Sequence, residues 1–237
     1  MTTETATPAP ASTETPAPAA AKVHQRAAQS RVISDEITAS AQSLGIVIAN
    51  PEIGAALAPA GYSQEELDAG LKLQRSAQAA FDSRQTAVGR ASQAKTACAK
   101  AEADARQTFG DYRKIAQAEY PEAPDRQALG ASGRSPKDPH VFVTTARAAF
   151  NAARQSPYAS VLAKRGYDKA GLDKAVAVFD ALDAAQSAYL TATGAAADSL
   201  RVRDQAAREL IVWMSKFRRI ASVVLRDKPE MRQKLGL

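Results

Sequence analysis

Apolar positions recur at helical spacing along most of this chain. Val23, Ala27, Ile33, Ile37, Ala41, Leu44 and Ile48 are separated by three, four or six residues, which keeps one face of a helix apolar from about 22 to 49. Asn50-Pro51 predicts a stop and then a short helix, with Asn as N-cap and Pro in the first turn. Ile53 and Leu57 anchor that helix, and Gly61 suits the left-handed residue that ends it. Ser63 with Glu66 three residues on reads as a capping box. A long stripe follows: Leu67, Leu71, Gln74, Ala77, Phe81, Val88, Ala91, Cys98, Ala105, Phe109, Tyr112 and Ala116, spaced near 3.5.

The same grammar then returns. Asp138-Pro139 opens a helix with Phe142, Ala146, Phe150 and Ala153 on one face, and Ser156-Pro157 opens a short helix that Gly166 closes. Leu172, Val176, Phe179, Leu182, Tyr189, Ala196, Leu210, Met214, Phe217, Ala221 and Val224 carry the second long stripe. Shifted by 105 residues, 57–120 lies on 162–225 without a gap, and 16 of the 64 positions are identical. Seven are alanines. The other nine include Gly61-Tyr62 with Gly166-Tyr167, Gly89 with Gly194, and Arg113 with Arg218. Beyond the aligned block, PDRQALG (124–130) answers PEMRQKLG (229–236). The pattern predicts a tandem duplication.

Each long stripe reads as one continuous helix in preference to a hairpin at Gly89 or Gly194. The flanking segments contain no Pro or Asn, and the apolar phase passes through both glycines. A lone Gly costs a helix only about 1 kcal/mol. Helices of this kind extend roughly 85 Å, with the glycines as points of kinking or close approach. The expected fold is all-α: a helix, short-helix, long-helix unit repeated in tandem, packed as an elongated, coiled-coil-like antiparallel bundle. The expected boundaries are a disordered Thr/Pro/Ala-rich tail over 1–21, repeats over 22–131 and 139–237, and a linker over 132–138.

Composition narrows the function classes. Hydrophobic residues make up 45%, much of it alanine, and aromatics only 5%, which suits closely packed helices. Cys98 is the single cysteine, so no intrachain disulfide framework exists. Neither a signal-like apolar N-terminus nor an uninterrupted membrane-length apolar run appears, and the expectation is a soluble cytoplasmic protein without a membrane partner. Net charge is +6 but uneven: residues 22–135 hold 14 Lys/Arg against 13 Asp/Glu, and residues 136–237 hold 17 against 10.

Catalytic motifs are lacking. His24 and His140 have no second His or Cys at a ligand spacing. Phosphate-cradling, dinucleotide and nucleophile-elbow motifs are absent, as are paired Glu-x-x-His motifs. Cys98 falls on an apolar stripe and reads as a small core residue. Tyr62 and Tyr167 read as rings plugging the junction between short and long helix, and Trp213 as core or interface. No enzyme, cofactor or metal is expected.

The remaining feature is basic. Residues 201–234 hold ten Lys/Arg and four Asp/Glu. Arg201, Arg208, Arg219 and Arg226 are spaced 7, 11 and 7, which keeps them within about 20° of one line on a helix. Val212 and Val223 fall on that same side, and the first copy has Thr96, Ala103, Lys114 and Pro121 at the equivalent places. Two expectations follow. One is a non-catalytic structural or interaction protein that self-associates, since a core poor in large side chains gains from burial between subunits and duplication supplies two similar surfaces. The other is sequence-independent binding of nucleic acid, another polyanion or an acidic protein along the arginine row.

Overall fold

The computed structural model describes the backbone from residue 18 and side chains from residue 28, so of the tail expected over 1–21 residues 1–17 lie outside the described residues, and 18–21 belong to the first helix. Every regular element among the described residues is helical: α1 (Pro18–Ala49), α2 (Pro51–Leu57), α3 (Gln64–Glu119), α4 (Ala123–Ala128), α5 (Pro139–Ala153), α6 (Tyr158–Ala163), α7 (Lys169–Val224) and α8 (Pro229–Leu235), with a 3-10 turn at Ala58–Ala60. The fold is all-α.

Helices α3 and α7 each run 56 residues without a break, straight through Gly89 and Gly194. A β-carbon added at either glycine would meet nothing within 4 Å, so neither is a point of close approach. The two positions therefore carry only the entropic cost of glycine in a helix. Gly89→Ala and Gly194→Ala are each expected to stabilise the chain by about 1 kcal/mol, read as a rise in the urea midpoint; a lower midpoint would reveal a need for glycine that the packing does not show.

The helix ends follow local chemistry, with two departures from the simplest reading. Asp138 caps α5 by accepting from Val141 N–H at 2.9 Å, and Asp168 caps α7 by accepting from Gly171 N–H at 2.7 Å. Ser63 Oγ accepts from Glu66 N–H at 3.4 Å. The carboxylate of Glu66 makes a different bond, described below, in place of the second half of a capping box. Asn50 makes no side-chain cap to α2; its Nδ2 donates backwards to the Ile46 carbonyl at 2.7 Å and closes α1 instead.

The helices assort into two compact units, one holding the chain up to Phe81 together with Val202–Leu237, the other holding Asp82–Arg201. In the first, Ile33, Ile37, Leu44 and Val47 of α1 pack with Ile53, Leu57, Tyr62 and Leu67, and with Leu210, Met214, Phe217, Ala221 and Leu225. Val47 is buried where the apolar period favoured Ile48, which is left 44% exposed. Arg218 joins α7 to Glu36 of α1 by an ion pair at 2.8 Å. By length and composition Ala28–Ala49 is apolar enough to cross a membrane, although no uninterrupted apolar run marks it. In this structure its buried face belongs to the core of the first unit.

The second unit centres on aromatic rings. Phe109, Tyr112, Phe142, Phe150 and Phe179 are fully buried, and Phe150 meets Tyr112 edge-on at 5.0 Å. Leu129, Ala131, Ala146, Ala153, Leu162, Leu172 and Leu182 complete this core. The segment read as a linker is pinned to α3. Arg113, only 9% exposed, donates to the carbonyls of Gly130 (3.0 Å), Ser132 (3.0 Å) and Gly133 (2.6 Å). Gln117 donates to Ala131 O at 2.6 Å, while Arg106 reaches Pro136 O and Lys137 O at 3.2 and 3.3 Å. These carbonyls lie in a turn with no backbone donors opposite them, and a guanidinium supplies several donors from one side chain.

Candidate functional site

The outward face of α7 carries Arg201, Arg208 and Arg219, but the helix ends at Val224 and Arg226 lies in the turn after it, so the four arginines do not share one helical line. Arg201, Arg208 and Arg219 are exposed, as expected of residues opposite Leu210, Met214, Phe217 and Ala221, which are buried, and Arg226 is exposed as well. The two units divide the row. Arg201 ends the second unit, where it pairs with Asp198 at 2.7 Å. Arg208, Arg219 and Arg226 belong to the first unit, and among the described residues they enter no ion pair. Lys216 is exposed on the same side.

Apolar groups are interleaved with these cations. Val212 is 70% exposed and Val223 60%, with Ile211 at 39%. Among the described residues Ile211, Val212, Ser215, Lys216, Arg219 and Ile220 line a shallow groove of about 490 Å³. The face thus presents positive charge to solvent together with β-branched side chains that gain nothing there. Lys216 and Ile211 complete it, and row spacing alone did not single them out.

The other candidate residues sit apart from this face. Tyr62 is buried, edge-on to Phe217 at 5.1 Å, and its hydroxyl pKa is raised by burial and by the nearby Glu66 carboxylate. Tyr167 is half-buried, edge-on to Tyr112 at 5.3 Å, and its pKa is raised by burial and by Asp111. Both rings fill the junction after their glycine. Cys98 is half-buried and belongs to neither core, so its place on the apolar stripe did not make it a core residue. His140 is exposed in the first turn of α5, and the side chain of His24 lies outside the described residues. No group of three or more His, Cys, Asp or Glu among the described residues is placed to hold a metal ion.

Trp213 turned out to have the most specific surroundings. It stacks on Phe217 with centroids 5.5 Å apart and planes 8° apart, and its Nε1–H donates to Glu66 Oε1 at 2.9 Å. Its ring covers Gly70. The sequence held a sign of this, because the positions 105 residues away from Gly70 and Trp213, Ala175 and Thr108, differ in the complementary sense.

No family model matches the sequence, and neither a curated protein nor a solved structure matches it.

Proposed function

We propose that the chain is a tandem duplication of a helix, short-helix, long-helix unit whose two long helices run antiparallel in an elongated, coiled-coil-like bundle. We propose further that it is a non-catalytic structural protein that associates with itself. The observation that carries the duplication is the recurrence of the same junction 105 residues apart. Gly61 has φ 92° and Gly166 φ 87°. Tyr62 N–H donates to Leu57 O, and Tyr167 N–H to Leu162 O. The endings recur as well: Gly130 and Gly236 have φ 62° and 68°, and each follows a helix whose last turn is closed by the two backbone bonds of a Schellman motif.

Chain direction follows from which residues meet inside each unit. In the first, Tyr62 meets Phe217 and Gly70 meets Trp213. In the second, Arg84 donates to Ala196 O, Tyr112 meets Tyr167, and Glu119 pairs with Arg165 at 2.6 Å. One number rises as the other falls, which supports antiparallel helices. Along α3 the partly buried positions 84, 87, 91, 94, 98 and 101 keep a 3-4 spacing, the period of a coiled-coil seam. Mostly alanine fills that seam, so it buries little. Leu190 remains 71% exposed and Val88 42%. These unburied groups, with Val212 and Val223, support self-association.

Sedimentation velocity across a concentration series tests the reading. A dimer or larger species that dissociates on dilution is expected, and a monomer at high micromolar concentration would overturn it. A second reading, polyanion binding by the arginines of α7 and the turn after it, is favoured by one observation: Arg208, Arg219 and Arg226 are exposed and enter no ion pair among the described residues.

A further inference from the structure

A β-carbon built on Gly70 would stand 2.4 Å from Cη2, 2.6 Å from Cζ2 and 2.8 Å from Cζ3 of Trp213. No side chain fits there while the indole keeps its place. The indole is held by Phe217 beneath it, by Tyr62 edge-on at 5.7 Å, and by the Glu66 carboxylate on its N–H. In the second unit the positions 105 residues away are Ala175 for Gly70, Gly171 for Glu66 and Thr108 for Trp213. There, a methyl replaces bare backbone, a small side chain replaces the indole, and the carboxylate is gone along with the N–H that needed it.

We propose that Glu66, Gly70 and Trp213 form the specificity-determining contact by which the first half of the chain, 22–131, recognises the second half, 139–237, and rejects a second copy of either half. The proposal rests on the duplication reading above, under which two like halves have three ways to pair. Pairing two second halves would set Trp213 against Ala175, whose methyl occupies the space of the ring, with no carboxylate at Gly171 for the indole N–H. Pairing two first halves would set Thr108 over Gly70, leaving a void the size of the missing ring and Glu66 without its donor. Only first with second satisfies all three positions. Any exchange between copies must therefore join a first half to a second half, and the partner that fits this surface is the complementary half of a second copy.

The test uses the full chain with a protease site placed in 132–138. After cleavage, native mass spectrometry should show the two halves as a 1:1 complex with no homodimer of the second half. Trp213→Thr, which removes the steric veto, should add second-half homodimers to the spectrum. Second-half homodimers from the unsubstituted protein, separation of the halves on cleavage, or a spectrum unchanged by Trp213→Thr would each overturn the proposal.

A second measurement on the uncut chain covers poor folding of the variants. Gly70→Ala should lower the melting midpoint by roughly 5 °C when Trp213 is present and leave it nearly unchanged in the Trp213→Thr background. Equal losses in both backgrounds would show that the indole is not what Gly70 accommodates. A strictly monomeric protein in the concentration series would defeat self-association and leave both of these outcomes readable.

Discussion

Tyr112→Ala should cost roughly 3–5 kcal/mol of stability, the range for emptying a fully buried aromatic site. The ring has no exposed surface and meets three others: Phe109 in a stack at 6.0 Å, and Phe150 and Tyr167 edge-on at 5.0 and 5.3 Å. Its hydroxyl donates to the Ala149 carbonyl at 3.2 Å. Tyr112→Phe keeps the packing and loses only that bond, so about 1 kcal/mol is expected. Circular dichroism against urea separates the two variants; similar midpoints would mean that the ring's packing contributes little.

The same residue makes a prediction about pH. Burial, with the neighbouring Tyr167 and Tyr120 adding to it, raises the Tyr112 pKa well above the ordinary tyrosine value of 10.0. Below that value both folded and unfolded chains hold the proton, and the full contribution to stability is present. Above it the unfolded chain releases the proton while the folded chain retains it, so stability falls as pH rises, by about 1.4 kcal/mol per pH unit. Tyr62 and Tyr167 shift in the same direction by burial. Tyr112→Phe should therefore flatten the loss of stability above pH 10. An equally steep loss in that variant would assign the alkaline sensitivity to other groups.

How much of this was legible in sequence follows from the reach of each interaction. The left-handed turns at Gly61 and Gly166 and the cap at Asp138 depend on neighbours a few residues away, and residue type alone announced them. The unbroken α3 and α7 were legible because one phase of apolar residues runs through each. Period tells which side of a helix faces a partner, but not how large the partner's side chains are. That is why Val88 and Cys98 sit on the stripe yet outside both cores. The pinned 130–137 segment rests on side chains donating to backbone carbonyls, and carbonyls are the same at every residue. Gly70 beneath Trp213 joins positions 143 apart in number, a separation no periodicity spans. The outer face of α7 was legible in direction. Which of its arginines are already paired was not, because Asp198 next to Arg201 looks in sequence like any other helical neighbour.

That pairing sets the expectation for polyanion binding. If all four arginines neutralised phosphates on duplex DNA, log affinity against log salt would fall with a slope of about −3.6. Arg201 already shares its charge with Asp198 at 2.7 Å, whereas Arg208, Arg219 and Arg226 enter no ion pair among the described residues. A slope nearer −2.7, the value for three contacts, is therefore expected. Arg208→Gln/Arg219→Gln/Arg226→Gln should abolish a gel shift at low salt, and Arg201→Gln alone should leave it almost intact. Mixed-sequence duplexes should bind alike, since no base-reading motif accompanies the row. Val212→Ser/Val223→Ser separates the two kinds of partner this face can serve. Phosphates have no use for the valines, so DNA binding should survive that double change, whereas self-association through the same face should weaken. A gel shift that persists in the triple arginine variant, or none from the unsubstituted protein at low salt, would remove the polyanion reading.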